Sequence, residues 1–467
     1  MVGDRPVKWC VVSTDEVGTR GKRLDASAYN VEARNAKAAI ESGKYPLTKI
    51  CGDDGLATAY VGGRFKRIWV EKSDYPIYQP SEIVNVNPSP DGWLSVKTQA
   101  DLDSLRVHKG QILLTCSGTI GKTALVSDTL DGKIFSHDLL RIECKRKADV
   151  GYVYAYLKSR IGNTILLTNS YGAVITHIEP EHLNSIPIPD APEEIKSTIN
   201  DLVVRSYELR DESNALIDKS TSLMVEELKL PSVEKIKGSC MTFSVSSSDL
   251  AGRFDASYHV PIVAAVTKHL KRYAAEVTTV ADPRISKKVI LPPRFTRVYV
   301  EEGYGRPLIG GKQIHEIDPS NKKFLSSSKH KSILSQLEAR TNTTLITRSG
   351  TIGKVALVPR HWDRWIPSDH IIRIVPANDG IAGYLNVFLS SEYAHPLIVR
   401  YTYGAVIDEI DDTHVRNIPV PLLKDTSVQD EINTLALAAN EKRVEAYRLE
   451  QEALSIMETD VLNIQRP

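Results

Sequence analysis

Two homologous mixed α/β domains, each followed by a long helix, with the two helices packed on each other, are the α+β architecture predicted by this 467-residue chain. Three observations predict it. First, the chain repeats itself. Ser117-Gly118-Thr119-Ile120-Gly121-Lys122 returns as Ser349-Gly350-Thr351-Ile352-Gly353-Lys354, an offset of 232 residues. Tyr171-Gly172-Ala173-Val174-Ile175 returns as Tyr403-Gly404-Ala405-Val406-Ile407, and Ile186-Pro187-Ile188-Pro189 as Ile418-Pro419-Val420-Pro421, both at the same offset. Asp25-Ala26-Ser27 and Asp255-Ala256-Ser257 are 230 apart. A constant offset over so long a span means a duplicated domain. Second, each copy orders its elements alike. Third, a 3.5-residue apolar period follows each copy.

Within each copy, Gln111–Thr115 and Thr343–Thr347 are apolar, β-branched runs that predict a strand. The Ser-Gly-Thr-Ile-Gly turn follows, then second strands at 123–126 and 355–358. Third strands fall at 139–142 and 371–374. Helical stretches come near 151–168 and 381–400. The Tyr-Gly-Ala loop, a short helical turn at Glu179–Leu183 and the Ile-Pro exit complete the copy.

After the exit the spacing predicts a helix that starts at Asp190, Pro192 and Glu193. Ile195, Ile199, Leu202, Leu209, Leu216 and Leu223 form its seam, with Ser206, Ser213 and Ser220 in the remaining positions, and Pro231 stops it. The second helix starts at Asp425-Thr426-Ser427, with seam residues Leu435, Ala439, Ala446, Leu449, Ala453 and Ile456. Serine and alanine on a seam allow close approach but bury little, so the two helices are expected to pair, the alternative being that each packs back on its own domain. The expected boundaries are 1–190 for the first domain, 191–230 for its helix, 231–421 for the second domain and 422–467 for the last helix. Residues 30–110 and 260–340 show no evident similarity, as expected if each copy binds a different ligand.

Composition is ordinary for a soluble globular protein, with 42% apolar and 25% charged residues. No apolar run has membrane-spanning length, and Met1–Lys8 has no signal-peptide pattern. Five widely spaced cysteines form no Cys-x-x-Cys pair, so neither a zinc site nor a disulfide framework is indicated, and a reducing cytoplasm is expected. The net charge of +1 hides an asymmetry. Residues 231–421 hold 25 Lys and Arg against 18 Asp and Glu, whereas 191–230 and 422–467 each hold 5 against 9. The domains can therefore present basic faces to a polyanion.

The turn invites a P-loop reading and fails it. A Walker A motif needs glycine where Cys116 and Arg348 stand, and its Ser/Thr slot is Val355 in the second copy. The turn can still offer backbone N–H groups, and Lys122 and Lys354 charge, to a phosphate. It is equally a tight structural turn. No metal motif, glycine-rich cofactor loop or methyltransferase signature is present. Ser136-His137-Asp138 and Ser368-Asp369-His370 look triad-like, but neighbours on a strand point to opposite faces and the His and Asp exchange order between copies. Tyr171 and Tyr403 are candidates for stacking on bases or sugars, or core tyrosines.

The duplicated order of strand, Ser-Gly-Thr-Ile-Gly-Lys, Tyr-Gly-Ala, Ile-Pro-Ile-Pro and long helix resembles the specificity (S) subunit of Type I restriction-modification systems. Arg23-Leu24-Asp25-Ala26-Ser27 and Arg253-Phe254-Asp255-Ala256-Ser257 also look like that family's domain starts. The family often has Gln in the loop where Val174 and Val406 stand, and Gln at the helix start, a role open to Gln429 but taken by Glu193 and Glu194 in the first copy. The resemblance implies two target recognition domains that read the halves of an asymmetric, gapped DNA target, largely in the major groove. It implies that the long helices pair as an antiparallel coiled coil and set the gap. The chain would be non-catalytic and bind no cofactor itself. Two copies of a DNA adenine methyltransferase subunit would bring S-adenosylmethionine and flip the target base, and an ATP- and Mg-dependent restriction subunit is a further expected partner. Expected DNA contacts are Lys122, Lys354, Arg348, Tyr171, Tyr403, Thr119 and Thr351. The alternatives are an S-like recognition subunit of another modification or anti-phage system, and a two-domain scaffold that binds protein.

Overall fold

The computed structural model describes residues 9–19, 29–98, 101–168, 177–233, 242–250, 252–404 and 406–464. They form two compact units, Met1–Asp211 with Ala446–Pro467, and Glu212–Glu445.

Among the described residues the first unit contains three sheets. Strand β1 (Leu47–Lys49) pairs antiparallel with β10 (Pro187–Pro189). The central sheet has the order β2 (Ala57–Val61), β9 (Leu139–Cys144), β6 (Ile112–Thr115), β7 (Thr123–Leu125). The far sheet has the order β3 (Trp69–Val70), β5 (Gly92–Leu94), β4 (Pro76–Tyr78), β8 (Ile134–Phe135), with β4 and β8 parallel. Strand β6 is buried at every position, which explains its unbroken apolar run.

The second unit repeats this plan. Strand β11 (Glu276–Thr279) pairs with β20 (Pro419–Leu422). The central order is β12 (Ser286–Ile290), β19 (Ile371–Pro376), β16 (Thr344–Thr347), β17 (Val355–Leu357), and the far order is β13 (Tyr299–Val300), β15 (Lys323–Ser326), β14 (Gly305–Ile309), β18 (Ile366–Pro367). Register repeats with topology. Thr115 faces Leu139 and Thr347 faces Ile371, both pairs 232 apart.

The matched topology corrects the expectation that residues 30–110 and 260–340 share nothing. Strands β3 and β13 are equivalent, and the chain entering them reads Arg64-Phe65-Lys66-Arg67-Ile68-Trp69-Val70-Glu71 in one copy and Arg294-Phe295-Thr296-Arg297-Val298-Tyr299-Val300-Glu301 in the other. Its offset is 230 rather than 232, and the residues beyond it have diverged.

The domain helices pack on the central sheets. In the first unit α1 (Val31–Glu41), α2 (Val150–Lys158) and α3 (Arg160–Thr168) line the main core. The single helix expected near 151–168 breaks at Ser159, whose extended backbone and Oγ, which accepts from the Gly162 amide at 3.1 Å, start a new helix. The long helix α4 (Glu193–Glu227) begins in this unit and ends in the other. In the second unit α5 (Pro261–Tyr273), α6 (Asp379–Ser390) and α7 (Ala394–Val399) play the equivalent parts. The last helix is α8 (Thr426–Ile456), capped by Asp425, whose Oδ1 accepts from the Ser427 amide at 2.9 Å.

Segments of α4 and α8 pair within each unit, and they run antiparallel. In the second unit Glu212 meets Lys442 and Lys219 meets Glu431. In the first, Leu209 packs with Ala446 and Leu449. The seam serines Ser206, Ser213 and Ser220 and alanines Ala439, Ala446 and Ala453 are fully buried. Each helix docks its own domain through one device. The amides of Gly151 and Gly383 donate to Oδ1 of Asn200 and Asn433 at 2.9 and 2.8 Å.

One buried polar cluster ties the last helix to the first domain. Glu450, with no exposure, meets Lys158 at 2.8 Å and Arg210 at 2.9 Å and accepts from the Tyr154 hydroxyl. No described helix is long and apolar enough to cross a membrane.

Candidate nucleic-acid interface

The Ser-Gly-Thr-Ile-Gly-Lys segment is the same turn in both units. Thr115 and Thr347 end their strands and organise it. Each donates its hydroxyl to the carbonyl of the turn threonine, Thr119 or Thr351, and accepts from the amide of Lys122 or Lys354 at 3.0 or 2.9 Å. The Gly121 and Gly353 amides bond to the carbonyls of the same threonines. Gly118 and Gly121 have φ of +70° and +92°, and Gly350 and Gly353 +74° and +84°, the left-handed region that only glycine enters freely. The amides of the second glycine and the lysine are therefore satisfied inside the turn. Thr119 and Thr351 stand exposed at its tip, and Lys122 and Lys354 are half-buried at its base.

The turn is stitched to the chain that leaves the Tyr-Gly-Ala loop. The Ile178 amide donates to the Cys116 carbonyl, and Ile410 to Arg348, both at 2.9 Å. Tyr171 lies outside the described residues. In the second copy the loop closes on itself through two bonds between the Tyr403 and Glu409 backbones, and Tyr403 is 42% exposed beside His414. Val406 and Ile407, at the tip, are 96% and 62% exposed.

Arg348 is turned inward. Its Nε donates to the Ile410 carbonyl at 3.0 Å and its terminal nitrogen pairs with Glu409, leaving it 7% exposed. It holds the loop against the turn and has no free face for DNA. Replacing it with alanine should destabilise the second unit by about 1.5–3 kcal/mol, the range for hydrogen bonds to charged groups, read by urea unfolding. The first copy has buried Cys116 there, its thiol pushed up to about 11 by burial and Asp138.

A second clamp comes from the repeated domain entry, which the sequence marks as a motif but not as a contact. Arg253 makes a two-toothed pair with Asp255 at 2.7 and 2.9 Å and reaches the Thr402 carbonyl at 3.3 Å. The hydrogen bond from Arg253 outweighs burial and holds the Asp255 carboxyl down to about 2. The entry motif thus anchors the start of the Tyr-Gly-Ala loop. The first-copy entry, Arg23 to Ser27, lies outside the described residues.

The exposed end of the turn opens on a cleft of about 470 Å³ in the second unit. Ser349, Gly350 and Thr351 of the turn line it together with Arg297, Tyr299, Lys312 and Lys323. Lys323 lies over the Tyr299 ring at 5.3 Å. Lys354 is not in the cleft. It lies near His315, whose imidazole is held down to about 4, by burial first and then by Lys354 and Arg443. In the second copy the triad-like string does not assemble. Asp369 pairs with Arg297, while His370 Nδ1 lies 2.6 Å from Ser349 Oγ.

One matched pair is not apparent from the sequence alone. Arg141 and Arg373, on equivalent strands, are buried and bond to backbone carbonyls, Leu105 and Leu139 for one and Gln336 and Glu338 for the other. Burial lowers both pKa values, that of Arg373 to about 10. The signal was an arginine repeated amid apolar strand residues. Among the described residues no cluster of His, Cys, Asp or Glu could hold a metal.

Comparison with known proteins bears on the first repeat. Residues 65–205 match the family model for the Type I restriction modification DNA specificity domain. The match supports the resemblance over the first repeat, and the matched stretch runs from Phe65 of the shared arm, through the turn and the loop, into α4. No curated protein matches the chain. Among solved structures, the Type I restriction-modification S subunit from M. genitalium is 15% identical over 90% of this chain and 96% of its own, with a TM-score of 0.34. A structure described as the basis of complex assembly and conformational transition of the type I R-M system is 15% identical over 90% and 97%, with a TM-score of 0.28. The HsdS subunit from Thermoanaerobacter tengcongensis is 13% identical over 88% and 97%, with a TM-score of 0.27.

Proposed function

We propose that the whole chain is the DNA-specificity subunit of a Type I restriction-modification complex. The observation that carries this reading is that the second repeat reproduces the three sheets, turn and stitched loop of the first, and the first matches a DNA specificity domain. One molecule then holds two DNA-reading modules. The positions that differ between them support two different half-sites, and so an asymmetric, bipartite target. His370, on the cleft, stands where the first copy has Asp138. A carboxylate accepts from cytosine N4, whereas an imidazole N–H donates to a base acceptor.

In this reading the paired helices fix the unread gap between half-sites. The chain performs no chemistry and works in the cytoplasm. Two copies of a DNA adenine methyltransferase subunit bind it and supply S-adenosylmethionine and base flipping. An ATP-dependent restriction subunit completes the restriction form.

Titration of the purified full chain onto duplex DNA at two salt concentrations tests the DNA reading. A protein that neutralises several phosphates loses roughly 10³–10⁵ in affinity between about 50 and 200 mM salt, and a steep loss is expected here. Absence of duplex binding at the lower salt would favour the protein-binding scaffold.

A further inference from the structure

We propose that the arm shared by both repeats, Arg64 to Glu71 and Arg294 to Glu301, is a sequence-independent DNA grip, one per domain, in which arginine meets phosphate and an exposed aromatic ring packs on the sugar or base face. The proposal rests on the DNA-specificity reading above and adds a binding site to it.

The arm is alike in character at every position but one, Lys66 against Thr296, and part of it stays exposed in each copy. Phe65 and Phe295 pack on the small cores beneath the far sheets, and that contact accounts for the phenylalanine alone. Ile68 and Trp69 are 40% and 48% exposed, Val298 and Tyr299 39% and 44%. An exposed aromatic beside an exposed β-branched residue on an edge strand, repeated in both copies, is surface open to a partner.

Each arm's ring also has a cation over it, supplied by the arm in the first copy and by strand β15 in the second. Arg67 lies over Trp69 at 5.9 Å, and Lys323 lies over Tyr299 at 5.3 Å. In the first copy Trp69 lies so close on Gly92 that a Cβ there would come within 2.7 Å of the ring. Lysine occupies that strand position in the second copy. The means differ, and the outcome, a half-exposed ring beside a positive charge, is the same. Arginine next to an exposed aromatic ring is the sequence-tolerant way of holding nucleic acid, because every nucleotide has a phosphate and a flat face.

Position adds the decisive point. In the second unit Arg297 and Tyr299 line the same cleft as Ser349, Gly350 and Thr351 of the repeated turn. The cleft thus has repeated parts, the arm and the turn. It also has parts peculiar to this copy, such as Lys312, Asn321 and His370. If the two half-sites differ in sequence, the features common to both are the sugar-phosphate backbone and the base faces. The repeated parts match those common features, and the copy-specific parts are left to read base edges. Asp369 pairs with Arg297, whose side chain is 30% exposed and lines the cleft. Arg294, at 76% exposure, has only a loose 3.8 Å approach to Glu409.

The test uses the full chain for binding and the intact system in cells for specificity. The variants are Arg67→Gln with Arg64→Gln, Arg294→Gln with Arg297→Gln, and separately Trp69→Ala and Tyr299→Ala. Thermal melting of each variant checks its fold, and the exposed arginines Arg64 and Arg294 give charge-only single variants that leave packing untouched. Expected is a fall of about tenfold or more in duplex affinity for each arm, equal on target and random duplexes. The salt slope should become shallower by about one per arginine removed. The methylated motif, mapped by long-read sequencing, should keep the same bases. A folded set of variants with wild-type affinity and slope would overturn the grip. A motif changed at one half-site would also overturn it, by making the arm a base reader. A wild-type chain that binds no duplex would sink the DNA reading itself, an outcome distinguishable from both.

Discussion

Replacing Glu450 with alanine is expected to destabilise the first unit by about 3–5 kcal/mol, since it leaves a buried arginine without its counter-charge. Glu450 has no exposure, and Lys158, Arg210 and Tyr154 all converge on it. Burial pushes its carboxyl up, but Lys158 and Arg210 outweigh burial and bring it down to about 2. The folded pKa therefore lies below that of an unfolded glutamate, about 4.3. The stabilisation is present above that unfolded value and is lost as pH falls through about 2. Guanidinium unfolding at pH 7 and at pH 3 should show Glu450→Gln closing part of its deficit against the parent as the solution is acidified. A constant deficit at both values would contradict this account of the cluster.

The glycines that seat the long helices should be equally intolerant. A Cβ on Gly151 would lie 2.5 Å from the Asn200 Cα, and one on Gly383 would lie 2.4 Å from the Asn433 carbonyl oxygen. Both obstacles are backbone, so a whole helix must shift. Gly151→Ala and Gly383→Ala should each destabilise their unit by about 1–3 kcal/mol or more, the range for overpacked cores. Gly63→Ala, where nothing lies within 4 Å and φ is unremarkable, is the control and should change stability little. Equal melting of all three variants would mean that the helices are not seated through these glycines.

Much of the architecture was legible because local pattern and tertiary role coincide. Strand β6 reads as Ile112-Leu113-Leu114-Thr115 and is buried throughout, so its apolar run is its structural role. The seam serines and alanines fell on the 3.5-residue period and are buried where that period put them. The turn was visible because both copies spell it alike. What escaped depends on distance or on spacing. Glu450 sits beside Leu449 rather than on the seam, and its partner Tyr154 is 296 residues away, so no local pattern marks it. The arm lies at offset 230 while the turn lies at 232, so a fixed comparison frame passes over it, and strand pairing was needed to align it. Arg348 looked like a phosphate contact because it is basic and beside the turn, and only the path of its side chain to Glu409 and Ile410 shows its structural work.

The central claim, that the two repeats are the DNA-reading halves of a modification complex, is tested most directly by methylation mapping. Genomic DNA from cells with the gene intact and with it deleted would be compared by long-read sequencing. Loss of a single bipartite, gapped, adenine-methylated motif with two unlike halves is the predicted result. Cells that carry an active partner methyltransferase yet show the same methylated motifs with and without the gene would contradict the claim.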